Sequence, residues 1–236
     1  MRTRQKLQYI AAVIAMAFLI IAMLLTSFQI AIYGDRDYGF YRKEYEKYQV
    51  ADTLHMEMED IMDVTDKMMA YLIGERGELS VVTMVDGREQ DFFNGQDRFH
   101  MGEVKELFLG GLRLRSYLLA AAVLILLLLI VWKTDMGRVL PRAYLISLGG
   151  FGVLTVILGS LFASNFNRYF TIFHEIFFDN DLWMFDPAED YMIRMLPEGF
   201  FYDFVIRIGS FFVGGLIVPG ILAGGLIGFT KRGRKD

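Results

Sequence analysis

The chain reads as an α-helical integral membrane protein, with four transmembrane helices and a small α+β extracytoplasmic domain between helices 1 and 2. Three observations predict this. Hydrophobic residues fill 54% of the 236 positions, and that content is gathered into four long runs. No run alternates apolar with polar, so each must satisfy its backbone as a helix and not as a barrel strand. Finally, basic residues crowd three short segments beside the runs, the pattern that marks cytoplasmic loops.

Residues 7–33 form the first run, after the basic start Arg2, Arg4 and Lys6. It is longer than the apolar stretch of a signal peptide and no small-residue cleavage pattern follows, which predicts a retained helix. Residues 117–132 form the second. They fall short of the roughly 20 residues needed to cross hydrocarbon, and Leu107 to Leu114 extend them outward. Residues 144–163 and 205–230 are the third and fourth spans, with Pro219 placed to kink the last. Gly149-Gly150-Phe151-Gly152 lies within the third, where close helix packing accounts for it better than phosphate binding.

Lys133, Arg138 and Arg142 occupy the short loop 133–143, and Lys231, Arg232, Arg234 and Lys235 the tail 231–236. With the N-terminal basic residues they place both termini and this loop in the cytoplasm. Only Asp135 and Asp236 are acidic there, so the other 26 acidic residues stand near the outer side. An outer face this acidic argues against nucleic acid as a partner. Cysteine is absent. Disulfides, thiolate metal sites and cysteine nucleophiles are thereby excluded.

Residues 34–116 are the expected outer domain. Asp52 or Thr53 is placed to cap a helix with apolar stripe Leu54, Met58, Ile61, Met68 and Leu72, ending at Gly74. Met56, Met62, Met69 and Met84 flank it, as core filling or as a face for an acyl chain. Leu79 to Met84 and Glu89 to Phe93 flank Asp86-Gly87, a tight-hairpin pair. His100 to Leu109 reads as a helix running toward the second span. Residues 164–204 are the second outer segment, an interfacial loop dense in aromatic rings and carrying Asp179, Asp181 and Asp186. Arg194 is expected to pair with an acid of this loop, and Arg207 to snorkel or face a polar cavity.

The chain has three histidines. His100 precedes the second span and His174 follows the third, so both fall on the outer side. Imidazole serves as base and acid near neutral pH, and a pair can divide those roles. Glu103, three residues after His100 on the same helical face, is placed to fix its tautomer. Each group could equally be an interfacial or solvated polar residue, and His55 is read that way. A metal site lacks the spacing: there is no His-Glu-x-x-His and no well-placed third histidine. Gly-x-Ser-x-Gly is missing as well.

Arg98-Phe99-His100-Met101-Gly102-Glu103-Val104-Lys105, and Phe173-His174-Glu175-Ile176-Phe177-Phe178 continuing through Asn180-Asp181-Leu182-Trp183 and Asp186-Pro187 to Leu196-Pro197-Glu198-Gly199-Phe200-Phe201, resemble the lipoprotein intramolecular transacylase family of Gram-positive bacteria. The likeness spans nearly the whole chain. It implies an acyltransferase whose substrate is a diacylglyceryl-modified lipoprotein, held among membrane lipids at the outer face of the cell membrane. The sn-2 acyl chain of glycerol would pass to the α-amino group of the N-terminal cysteine, giving the lyso-form lipoprotein without cofactor or metal. The family's catalytic pair falls on His100 and His174, and its acidic position after the first histidine falls on Glu103; Glu103 and Arg98 are the candidate supporting groups. Asn165, Asn167, Arg98 or backbone would stabilise the oxyanion. The competing expectation is a membrane protein that binds or escorts lipoproteins, or senses the envelope, without catalysis.

Overall fold

A computed structural model describes residues 2–232 of the chain, with Arg2 and residues 229–232 described as backbone. Residues 233–236, with the basic Arg234 and Lys235 of the expected tail, lie outside the described residues. In order, the elements are α1 (Arg2–Tyr33), α2 (Gly39–Lys47), α3 (Val50–Leu54), α4 (Met58–Leu72), β1 (Val82–Val85), β2 (Arg88–Asp91), α5 (Gly95–Val131), α6 (Met136–Ser164), α7 (Phe166–Phe177), α8 (Tyr191–Met195) and α9 (Glu198–Arg232). Four of these are long and apolar enough to cross a membrane: Thr3–Tyr33, Gly95–Val131, Met136–Ser164 and Glu198–Gly228, with mean hydropathies of 2.7, 2.6, 2.1 and 2.0. The protein is a multi-pass membrane protein. It divides into two compact units.

The first unit comprises residues 1–29, 112–163 and 208–236. Its core joins Ala12, Ala15, Met16 and Ile20 of α1 to Leu129 of α5, Val139, Ala143 and Tyr144 of α6, and Phe212, Leu216 and Ala223 of α9. Small residues on α1 let neighbouring helices approach, and hydroxyls tie them to backbone. Tyr144 Oη donates to the carbonyl of Leu216 at 2.8 Å, and Ser147 Oγ to that of Val13 at 3.2 Å. The glycine-rich run of α6 does not serve close packing. A Cβ built on Gly149, Gly150 or Gly152 would meet open space, whereas one on Gly215 would meet Met23 Sδ at 2.8 Å.

The second unit comprises residues 30–111 and 164–207. Tyr41 and Tyr45 of α2, Ile61, Val64 and Met68 of α4, Phe92 and Phe93 after β2, and Met195 and Phe200 build its core. Met56, Met68 and Met69 are buried in it, so these methionines fill a core instead of lining an open acyl surface. Tyr45 Oη donates to Thr65 Oγ1 at 2.8 Å, because that hydroxyl spends its own proton on the carbonyl of Ile61 at 2.9 Å. The hairpin stands as expected. β1 and β2 pair antiparallel with Val85 opposite Arg88, and Asp86 and Gly87 between them both have positive φ, 50° and 73°. Such a pair matches the twist of the strands it joins.

One expected helix is two. Residues 50–72 break at His55, whose φ is 50°. The carbonyl of Leu54, which would accept from Met58 in a continuing helix, instead accepts from Asp86 N at 3.1 Å. Neither Asp52 nor Thr53 caps anything; Asp52 sits in the first turn of α3, and α4 begins after Glu57 without a side-chain cap. Arg194 also departs from expectation. It pairs with both carboxylate oxygens of Asp86, at 2.8 and 2.9 Å, across 108 residues of sequence. Two acids of its own loop are engaged elsewhere: Asp190 and Asp186 shape the loop around Asp186 N and Ala188 N.

Candidate active site

α5 begins with a reciprocal cap. Asn94 Oδ1 accepts from Asp97 N at 3.0 Å and Asp97 Oδ2 accepts from Asn94 N at 2.9 Å, which satisfies two orphan donors of the helix start. Asn94 Nδ2 also donates to Asp190 Oδ1 at 2.6 Å. The helix is 37 residues long, roughly 55 Å at 1.5 Å per residue, against about 30 Å of hydrocarbon. Its first turns, which carry Asp97, Arg98, His100, Glu103 and Glu106, therefore lie outside the apolar stretch that spans. α7 starts on Asn165, whose side chain accepts from Arg168 N at 3.1 Å. That commitment, with Asn167 Nδ2 donating to Glu198 Oε2 at 3.1 Å, leaves both asparagines occupied at the helix start.

These two helices bring His100 and His174 together within the second unit, with ring centroids 5.8 Å apart and planes inclined by 30°. Both residues are buried, 6% and 7% exposed. Aromatic rings wall them in. Phe178 lies 4.9 Å from His100 and 5.5 Å from His174, Phe185 lies 5.5 Å from His100, and Trp183 lies 4.9 Å from His174 in a tilted stack. Phe170 approaches His174 edge-on at 4.4 Å.

The two imidazoles are held differently. His174 Nδ1 stands 2.7 Å from the carbonyl oxygen of Phe170, one turn back on α7. A carbonyl only accepts, so Nδ1 carries the proton and the neutral ring keeps a lone pair on Nε2. Burial holds this histidine below its ordinary value, and the Phe170 bond partly offsets that. His100 has no such bond. Its Nδ1 is buried without a hydrogen-bond partner, and burial, with His174 alongside, lowers it to about 4. Glu103 Oε2 lies 3.9 Å away, too far for a hydrogen bond but within ion-pair reach. The other oxygen of Glu103 accepts from Asn180 Nδ2 at 2.7 Å.

Two neutral imidazoles in an aromatic shell can accept a proton and pass it on in the course of a reaction, at a cost that their burial raises. Arg98 stands apart from them, exposed and bonded to Asp91 at 2.5 Å. His55 is exposed and bonded to Asp86 at 2.8 Å. Arg207 lies with its guanidinium 4.3 Å over the ring of Phe40. Among the described residues, no three histidine and carboxylate side chains gather as metal ligands would. Beside the histidines runs a groove of about 480 Å³ lined by Phe99, Gly102, Glu103, Leu107, Phe177 and Phe178. Phe185 and Trp183 belong to the aromatic stretch that the sequence set around His174, whereas Asn180 is a site neighbour that residue chemistry alone did not single out.

Comparison with known proteins bears on what this arrangement serves. The family model described as lipoprotein intramolecular transacylase Lit matches residues 13–201, a stretch that holds both histidines. No curated protein matches the chain. Among solved structures, the membrane integral lipoprotein intramolecular transacylase Lit from Bacillus cereus is 24% identical, with all of each chain covered and a TM-score of 0.78. Two variants of that protein, with one histidine replaced by arginine or by alanine, are 23% and 24% identical with TM-scores of 0.71. They cover 97% and 98% of this chain and 94% and 96% of their own. At such identities the solved structures establish the shared fold, and the family assignment comes from the match over residues 13–201. It is an enzyme family, which sets aside the non-catalytic escort. The chain belongs to the lipoprotein intramolecular transacylase family.

Proposed function

We propose that this enzyme moves the sn-2 acyl chain of a diacylglyceryl lipoprotein to the α-amino group of the lipoprotein's own N-terminal cysteine, using His100 and His174 as acid–base catalysts. The observation that carries the proposal is the buried pair itself, 5.8 Å apart and walled by rings. The family's lipoprotein transacylase role supplies the class of reaction.

The proton accounting suits two imidazoles. The substrate ammonium first releases one proton to solvent, and its nitrogen then attacks the ester carbonyl. Of the two hydrogens left, one stays in the amide and the other ends on the departing glycerol oxygen. The dyad's net work is therefore one proton carried from nitrogen to oxygen. His174 Nε2, free because Nδ1 is committed to Phe170, takes the proton from nitrogen. His100 delivers one to oxygen, and transfer between the rings resets the pair. Moving a proton from an amine near pKa 8 to an ordinary imidazole costs about 2 kcal/mol; burial of these rings makes the cost larger, so the charged state must be met by a counter-charge. Nucleophile and ester belong to one molecule, and holding them in near-attack geometry replaces a second binding site.

The charge pattern supports residues 7–33, 117–132, 144–163 and 205–230 as the spans, with 133–143 and 231–236 cytoplasmic. Residues 34–116 and 164–204 then face outward, and the histidines work at the outer interface among membrane lipids. The test is fragmentation mass spectrometry of N-terminal lipopeptides from cells with and without this chain. Intramolecular transfer leaves total mass unchanged and moves one acyl chain from glycerol to nitrogen. Finding both chains still on glycerol in cells that make the protein would overturn the proposal.

A further inference from the structure

We propose that Asn180 is a positioning residue for His100, acting through Glu103. The inference rests on the reading of His100 as a reacting group and adds a residue that no part of that reading uses.

The amide of Asn180 has a determined orientation. Its Oδ1 accepts from Leu182 N at 2.9 Å, a local turn bond available only to the carbonyl end. Nδ2 must therefore be the atom facing Glu103 Oε1, 2.7 Å away. This bond spans 77 residues of sequence and draws a long carboxylate side chain to one side. Glu103 Oε2 is then left buried with no hydrogen-bond partner, 3.9 Å from His100 Nδ1, itself buried with none. A buried acceptor and a buried donor site, each unsatisfied, face one another across a gap about 1 Å longer than a hydrogen bond. Catalytic hydrogen bonds are often long before substrate binds and close in the Michaelis complex. Closure would place the Nδ1 proton of His100 on Glu103, aim Nε2 at the substrate, and set a negative charge beside the ring when it becomes cationic. Asn180 does not titrate and touches no reacting atom. Its contribution is to hold the carboxylate where that closure is short.

A plain latch between the 178–186 loop and α5 would also use this bond, but the loop has other anchors. Gln96 Nε2 donates to the carbonyls of Leu182 and Met184 at 3.2 and 3.0 Å, and Asn94 holds Asp190. Losing the Asn180 amide therefore leaves the loop attached.

The experiment uses the full chain in lipid vesicles with a synthetic diacylglyceryl lipopeptide, comparing Asn180→Asp, Asn180→Ala, Glu103→Gln and Asn180→Ala with Glu103→Gln. Asn180→Asp keeps the turn, since its carboxylate still accepts from Leu182 N while the donor to Glu103 is gone, and Asn180→Ala removes that donor without adding a charge. Misplacing one group by about 1 Å costs up to ~10²-fold in rate, so kcat is expected to fall roughly 10- to 100-fold in both single Asn180 variants, with KM nearly unchanged. In Asn180→Ala the pH limb belonging to His100 should move to lower pH. The double variant should be no slower than Glu103→Gln alone, because both changes remove one function. Unchanged kcat and pH profile, or losses that simply add, would overturn the inference. If the wild-type chain does not transfer the acyl group at all, the functional proposal fails separately. NMR titration of the His100 imidazole still decides this one, since Asn180→Ala, which adds no charge beside the ring, must lower its pKa and an unmoved titration rejects the positioning role.

Discussion

His174 Nδ1 donates to the carbonyl of Phe170 at 2.7 Å, whereas the matching nitrogen of His100 has no hydrogen-bond partner and stands 3.9 Å from a carboxylate oxygen. The pair is thus chemically unequal before any substrate arrives. Replacing either ring by an amide of similar shape, His100→Asn or His174→Gln, should leave the fold intact. General acid–base help is worth on the order of 10² to 10⁴ in rate, and each variant is expected to lose that much transacylation. Single-turnover assays on the lipopeptide measure it.

Acid should destabilise the protein through the same two groups. Both histidines are held below the ordinary imidazole value of about 6.5, so between that value and about 4 the unfolded chain binds protons that the folded chain refuses. Their contribution to stability is complete above pH 6.5 and is lost as pH falls toward 4. Thermal unfolding in detergent at pH 7.5 and pH 5 should show a lower Tm at the acid value. The difference should shrink in a His100→Asn and His174→Gln double variant, while an equal drop in both proteins would assign the effect to other groups.

Trp183 covers one face of His174 with ring centroids 4.9 Å apart. Trp183→Ala admits water to that face, weakens the burial that keeps the ring neutral, and should raise its pKa toward the usual value. The acid limb of kcat/KM is expected to move to higher pH, read from rate profiles between pH 5 and 8. A profile that falls in height without moving along the pH axis would reject this account.

Gly199 sits against Tyr48. A Cβ there would meet Tyr48 Cζ at 2.5 Å and Oη at 2.6 Å, and Tyr48 Oη is the donor to Asp203 Oδ2 at 2.6 Å. Gly199→Ala must displace the ring and break that bond, an overpacking cost of about 1–3 kcal/mol. Denaturant unfolding should show the loss, and Tyr48→Ala in the same chain should recover part of it.

How much of this was legible in sequence depends on the range of the interaction. The hairpin at Asp86-Gly87 is written in two adjacent residues, since both positions require positive φ. Four membrane helices follow from run length and composition. The break at His55 was invisible because its cause is remote: Asp86 N takes the carbonyl of Leu54 from 31 residues downstream of the break. Arg194 was assigned to nearby acids for the same reason, nearness in sequence standing in for nearness in space. The second apolar run looked too short because only its spanning part is apolar, while the helix continues back through charged turns to Gly95.

At the site, residue type and motif marked His100, His174 and Glu103. The 3.9 Å gap to Glu103 could not be read from i,i+3 spacing, which places two residues on one face without fixing rotamers. Asn180 was out of reach because its role depends on which end of an amide points where, and that was decided by Leu182 N.

Phe178 touches both imidazoles, at 4.9 and 5.5 Å. With His100 and His174 each packed on the same incompressible phenyl, neither ring can lean onto the other. Phe178 works as a gauge block, setting the 5.8 Å separation of the two imidazoles. A smaller residue there would let the two rings settle onto each other and close that separation.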